Sequence, residues 1–264
     1  MSFVRINVQP DTLDEENRTF VQQPLKQPLF LNSVPKSGSH LLRNIIRMFV
    51  PVESQYQAEF IQHHFIQQHL AAFDHARNML SWGHLFYMDQ FKALLANVRQ
   101  IILVRDPYDW VLAQARFVSS NEFQAPGLDR YKAPDAPVEE VLNLVIDGTR
   151  PQLAPLAVTY QYNAVLWLQA GMPLVRYEEL VGALRNLETD ESGAYFSSLL
   201  ETCGIERPED WRERVKIGSD RKQSGTAREN LTGIAAKIPS KLPDRQKRMV
   251  DAACPGLRRL LGYE

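Results

Sequence analysis

The stretch PLFLNSVPKSGSHLLRNIIRMF, residues 28–49, decides the fold. It opens as a continuous apolar run of strand length and stops at Pro-Lys-Ser-Gly. Beyond the glycine, Leu41, Leu42, Ile45, Ile46 and Phe49 recur at helical spacing. The order is strand, tight loop, helix. A nucleotide-triphosphatase loop needs GxxxxGK[ST], and here Lys36 precedes Gly38 with no second glycine upstream, so that spacing fails. The loop still suits an anion. Backbone N–H groups of Ser37, Gly38, Ser39 and His40 at a helix start, a glycine that permits close approach and the Lys36 ammonium make a nest for a monophosphate or a phosphosulfate.

The same alternation continues along the chain. MLSWGH (79–84) precedes the helical MDQFKALLANV, and RQIILVRDP (99–107) is a strand-like run leading into YDWVLAQARFVSS, a helix opened by Pro107 and Asp109. A helical pattern covers 153–169, Gly171 and Pro173 break it, and LVRYEEL follows. Apolar strands alternating with helices predict an α/β fold: a mostly parallel sheet covered on both faces, three layers deep. In such sheets ligands sit outside the carboxyl ends of the strands. Each expected strand ends there in a residue able to do chemistry: Lys36, His84, Arg105 and Tyr177.

Composition excludes several classes. The 264 residues are 44% apolar, enough for one large domain behind an N-terminal arm, residues 1–28. Net charge is −1, so there is no overall basic field for non-specific nucleic-acid binding. The arm carries mixed charge and no apolar run, so neither a secretory signal nor a membrane span is expected, and the cytoplasm is the expected location. Cys203 and Cys254 have no CxxC or ligand spacing and read as structural thiols. The Gln- and His-rich stretch 55–73 reads as an amphipathic helix. Its His63, His64 and His69 are not spaced to stack on one helical face, so no metal site is expected.

With these residues in place, the chain resembles the sulfotransferases that use 3′-phosphoadenosine 5′-phosphosulfate (PAPS) and release adenosine 3′,5′-bisphosphate (PAP). PKSGSHLL (Pro35 to Leu42) is similar to the family's first cofactor motif and LVRDPYDWVLAQ (Leu103 to Gln114) to its second. WGHLFY places His84 where the family has its catalytic histidine, LVRYEEL resembles its strand ending in Tyr-Glu, and RKQSGTARENLT (Arg221 to Thr232) resembles its Arg-Lys-Gly loop. The motifs run in the family's order from about residue 29 to residue 232. The resemblance implies a P-loop nucleotide-hydrolase-like fold and PAPS as cosubstrate. It makes His84 the general base for a hydroxyl or amine of a small-molecule or glycan-like acceptor and has Lys36 neutralise the departing phosphate. It puts Ser37, Gly38, Ser39, His40 and Tyr177 at the nucleotide, Arg105, Arg221 and Lys222 on the 3′-phosphate, and no metal. Three positions depart from the pattern: Ala113 stands for a phosphate-binding serine, Leu41 for an adenine-stacking aromatic, and Gln223 for the loop's glycine. Gln114, Arg116 and Ser119 are the candidates to replace the serine.

Two other readings stay open at this point. A kinase with an atypical phosphate loop needs a carboxylate for Mg²⁺, and Asp106 is the obvious candidate. A non-catalytic module that keeps the nucleotide site needs none of the chemistry. The proline-rich stretch 123–141 is expected to form a lid, and Phe86, Tyr87 and Phe123 an apolar acceptor wall.

Overall fold

The computed structural model describes residues 5–6, 8–57, 61–149, 152–225 and 233–264. Its strands are β1 (Arg5–Ile6), β2 (Leu29–Ser33), β3 (Ile61–Gln62), β4 (Leu80–His84), β5 (Arg99–Val104), β6 (Phe123–Gln124) and β7 (Leu174–Arg176). The chain divides into two compact units. One comprises Pro10–Val104 and Tyr162–Gly225, the other Arg105–Gln161 with the described parts of 1–9 and 226–264.

The first unit holds a five-stranded sheet in the order β3-β4-β2-β5-β7, every pairing parallel. With the helices that flank it this is the expected α/β architecture. The central strand β2 is buried along its whole length, which explains why LFLNS reads apolar without alternation. Leu29 and Leu31 of β2, with Ile101 and Leu103 of β5, meet Leu42, Ile45 and Ile46 of the helix Ser39–Arg47 in one core. Phe196, Leu199 and Leu200 of the helix Asp190–Thr202, and Trp211 and Val215 of the helix Trp211–Gly218, complete it. Each such side chain contributes about 1.5–3 kcal/mol on burial.

Two glycines set close approaches. A Cβ on Gly83 would lie 2.0 Å from the Ile61 carbonyl oxygen, so β3 pairs with β4 only across a bare backbone. One on Gly218 would lie 2.7 Å from the Asn44 carbonyl oxygen, which seats the helix Trp211–Gly218 on the helix Ser39–Arg47.

The N-terminal segment is tied to the sheet unit by a buried cation. Arg47 donates to Asp11 at 2.8 Å, to Asp14 at 2.6 Å and to Gln55 Oε1 at 2.8 Å, while Asn17 donates to the Arg47 carbonyl at 2.6 Å. Breaking a buried pair of this kind costs about 3–5 kcal/mol.

The stretch 55–73 differs from the expected amphipathic helix. Ile61 and Gln62 join the sheet as edge strand β3, and His63–Phe73 is 3₁₀-helical with a break at His69, whose ring shares a 3.1 Å hydrogen bond with Tyr56. Edge pairing, a tertiary contact, outweighs the local helical period. The pattern over 153–169 is helical, but in three pieces with a π turn at Gln161–Val165.

In the second unit β1 and β6 pair antiparallel. The stretch expected as a lid contains β6, a 3₁₀ turn at Asp129–Tyr131 and the start of the helix Val138–Asp147, and Phe123 is buried against Phe117. Among the described residues no helix is long and apolar enough to cross a membrane.

Candidate active site

The loop after β2 is held at both ends. Val34 N–H donates to the Leu103 carbonyl at 3.0 Å, and Ser37 N–H turns back to the Val34 carbonyl at 3.1 Å. Lys36 takes a left-handed φ of 62° and Gly38 one of 95°, so two of three consecutive residues sit in the region L side chains avoid. The helix Ser39–Arg47 starts immediately, and the N–H groups of its first turn have no intrahelical acceptors. Its dipole favours an anion at that end. Ser37 is fully buried, and its Oγ has no hydrogen-bond partner among the described residues. A Cβ on Gly38 would lie 2.5 Å from Cδ2 of Tyr177, so the tyrosine ring that opens the helix Tyr177–Arg185 walls the loop where only glycine leaves room.

His84 closes β4 beside this loop. Its Nδ1 lies 2.9 Å from the Ser33 carbonyl oxygen and 3.1 Å from Ser33 Oγ. A carbonyl can only accept, so the first bond puts the proton on Nδ1 and leaves Nε2 as the basic nitrogen. Ser33 Oγ also donates to Ser39 Oγ at 2.8 Å and so joins the histidine to the first residue of the helix Ser39–Arg47. Asn32 fixes the chain just past His84: its Oδ1 accepts from Leu85 N–H at 2.9 Å and its Nδ2 donates to the Leu85 carbonyl at 3.2 Å. Burial holds the His84 imidazole down at about 4, with the nearby Lys36 ammonium adding to the effect against the Ser33 hydrogen bond.

His40 is a second depressed histidine. Burial, then Arg43, Lys36 and His84, push it down to about 3, and its ring meets Trp82 edge-on at 4.9 Å. The Arg43 guanidinium lies 4.9 Å over the same indole. Near neutral pH the loop therefore carries its positive charge on Lys36, with both imidazoles neutral.

Arg221 and Lys222 are exposed on a short 3₁₀ turn capped by Asp220, whose carboxylate accepts from Lys222 N–H at 2.9 Å. Asn44 of the helix Ser39–Arg47 donates to the Gln223 carbonyl at 2.9 Å, and the Gln223 side chain exchanges two hydrogen bonds with Thr12, at 3.0 and 2.9 Å. Gln223, the departure from glycine, thus anchors the basic turn. Residues 226–232 of the expected Arg-Lys-Gly loop lie outside the described residues.

Lys36, Ser37, Gly38, Ser39, His40, His84, Tyr177, Arg221 and Lys222 all belong to the unit that holds the sheet. Arg105 follows β5 directly and belongs to the other unit. There its carbonyl accepts from the buried Tyr160 hydroxyl at 2.8 Å, and Asp106 caps the helix Pro107–Val118. Asp106 also takes both Nε and Nη2 of Arg258, the latter at 2.8 Å. Burial and the neighbouring Arg105 lower the Arg116 guanidinium, which donates to the Pro239 carbonyl at 2.6 Å. Ala113 lies in the same helix, and Gln114 Oε1 and Ser119 Oγ are buried without partners among the described residues. The described residues contain no group of three or more His, Cys, Asp or Glu able to hold a metal ion.

The sequence matches no protein-family model and no curated protein. Solved structures do match. The mouse sulfotransferase SULT7A1 complexed with PAP superposes with a TM-score of 0.59 at 14% identity, over 95% of this chain and 91% of that one. Retinol dehydratase in a complex with retinol and PAP gives 0.54 at 12% identity, over 88% of this chain and 82% of that one. The same enzyme with androsterone and the inactive cofactor PAP gives 0.52 at 11% identity, over 88% and 81%. The chain has the PAPS-dependent sulfotransferase fold.

Proposed function

We propose that this chain transfers a sulfuryl group from PAPS to a hydroxyl or amine of a small-molecule or glycan-like acceptor, with His84 as general base. The observation that carries the reading is the His84–Ser33 hydrogen bond, which presents Nε2 as the base beside an anion-binding loop. The loop fits the nucleotide's 5′ end. It offers the buried Ser37 hydroxyl, which has no partner among the described residues, the first-turn N–H groups from Ser39 and His40, and a bare backbone at Gly38 walled by Tyr177. Bound there, PAPS supplies a sulfuryl group on a mixed anhydride whose cleavage leaves a bisphosphate.

Every other step falls to side chains. Lys36 meets the charge that grows on the bridging oxygen, and a compact ammonium suits that role. His84 Nε2 accepts the proton of the attacking hydroxyl or amine, and Ser33 holds the resulting imidazolium through Nδ1. Arg221 and Lys222 are the cations for the 3′-phosphate on the turn that Asn44 anchors. The resemblance assigns Arg105 to it as a third cation; in its own unit Arg105 is near enough to Arg116 for the like charge to lower that guanidinium. The kinase alternative loses its carboxylate, because Asp106 caps a helix and pairs with Arg258.

The test is a titration with PAP, adenosine 5′-phosphate and ATP, the last with and without Mg²⁺. PAP should bind in the micromolar range, and at ~100-fold excess over its Kd it adds about 2.7 kcal/mol of stability. Equal shifts in melting temperature from PAP and adenosine 5′-phosphate would reject the 3′-phosphate assignment. A requirement for Mg²⁺ would restore the kinase reading.

A further inference from the structure

Gln223 ends the turn that carries Arg221 and Lys222, the cations proposed for the 3′-phosphate, and it is held from two sides. Its carbonyl accepts from Asn44 Nδ2 at 2.9 Å. Its carboxamide meets Thr12 twice: Oε1 accepts from the Thr12 N–H at 3.0 Å, and Nε2 donates to Thr12 Oγ1 at 2.9 Å. A donor and an acceptor engaged by one residue fix the plane of the carboxamide as well as its position.

Thr12 is itself fixed. Asp11 before it and Asp14 beyond it both take the Arg47 guanidinium, at 2.8 and 2.6 Å, and the Arg47 side chain is 4% exposed. Arg47 and Asn44 lie one turn apart on the helix Ser39–Arg47. The contacts close a ring: Asn44 to Gln223, Gln223 to Thr12, and Asp11 with Asp14 back to Arg47. All of these residues belong to the unit that holds the sheet. The helix whose start is the proposed nest for the 5′ end thus also fixes the backbone of the basic turn.

Arg221 and Lys222 are exposed, and their long side chains turn about several bonds. The 2′ and 3′ oxygens of a ribose sit on adjacent carbons, so such side chains reach a phosphate on either one when the backbone beneath them can shift. A fixed backbone removes that freedom before the nucleotide arrives.

We propose that Thr12 and Gln223 are positioning residues for nucleotide specificity: they hold the Arg221–Lys222 backbone against the helix Ser39–Arg47 so that a ribose 3′-phosphate is bound and a 2′-phosphate is rejected. The proposal rests on the sulfotransferase reading and its assignment of Arg221 and Lys222. It also gives the departure from glycine at 223 a role, because the carboxamide supplies a hold that glycine lacks.

The experiment titrates the full chain by calorimetry with PAP, adenosine 2′,5′-bisphosphate and adenosine 5′-phosphate. The proteins are wild type, Thr12→Val, Thr12→Ser, Gln223→Leu, Gln223→Gly and the double variant of Thr12→Val with Gln223→Leu. Wild type should bind PAP at least ~10-fold tighter than the 2′,5′ isomer. Thr12→Val should lower PAP affinity ~3-fold and either Gln223 variant ~10-fold, the range that one or two lost hydrogen bonds supply. The other two nucleotides should stay within about two-fold of wild type. Thr12→Ser, which keeps the hydroxyl, should match wild type, and Thr12→Val should add nothing once Gln223 is Leu. The proposal is overturned if wild type binds the two bisphosphates alike, or if Gln223→Gly keeps wild-type PAP affinity. It is equally overturned if a variant weakens all three nucleotides alike, or if the losses from Thr12→Val and Gln223→Leu add. Adenosine 5′-phosphate binding to wild type as tightly as PAP instead rejects the 3′-phosphate assignment itself, and this proposal with it.

Discussion

His84 Nδ1 donates to the Ser33 carbonyl at 2.9 Å, and Ser33 Oγ reaches Ser39, the first residue of the helix Ser39–Arg47, at 2.8 Å. One residue at the end of β2 therefore sets the tautomer of the proposed base and touches the helix whose start is the proposed anion site. The proposed base and the proposed nest are positioned by the same strand, which is buried along its whole length.

Replacing His84 by Ala should leave PAP affinity within a few-fold of wild type and slow transfer by about 10²–10⁴-fold, the contribution of a general base. Titration calorimetry and single-turnover transfer separate the two effects. Full transfer by the variant would make His84 structural, and lost PAP binding would place it on the nucleotide side.

Lys36→Ala should weaken both binding and turnover, because its ammonium meets phosphate charge in the ground state and more of it as the bridging oxygen leaves. Lys36→Arg is the sharper probe: the planar guanidinium keeps the charge and binding but cannot occupy the tight left-handed turn as a point charge, so turnover falls more than affinity. Wild-type turnover by Lys36→Arg beside the loss in Lys36→Ala would show that charge alone matters.

Gly38→Ala combines two penalties, a Cβ 2.5 Å from the Tyr177 ring and an L residue at φ 95°. The backbone term alone is about 1–2 kcal/mol. A double variant with Tyr177→Ala should recover the steric part of the lost stability and keep the backbone part. Complete recovery on thermal melting would mean that the loop tolerates the conformation.

Much of the candidate site's local geometry was legible in PKSGSHLL and WGHLFY, because the shape of a strand-end loop depends on residues adjacent in sequence. What the sequence hid was carried by tertiary contacts. Asn32 stands out as a polar residue in an apolar strand, but its role at Leu85 requires knowing that β2 and β4 are neighbours. Gln223 read as a loss of glycine, whereas its carbonyl and side chain hold the basic turn to Asn44 and Thr12, 179 and 211 residues away in sequence. Ile61 and Gln62 read as helix because two residues of edge strand leave no period of their own, and the space that admits them comes from Gly83.

Acid stability offers a test that needs no acceptor. His40 and His84 titrate at about 3 and about 4 in the folded chain against 6.5 for a free imidazole, so the unfolded chain binds more protons between those limits. Stability from these groups is therefore fully present above about pH 6.5 and is lost as pH falls toward 4, at up to about 1.4 kcal/mol per pH unit for each histidine. Ordinary carboxylates titrate below about pH 5, so the interval from 6.5 to 5 isolates the histidines. Denaturant melts across that interval should show a steep slope in wild type, to which His63, also held down at about 4, contributes, and a shallower one in His40→Gln, which removes one of the three protonations without touching the His84–Ser33 bond. Parallel slopes for the two proteins would mean that His40 is protonated at the surface rather than held neutral between Trp82 and Lys36.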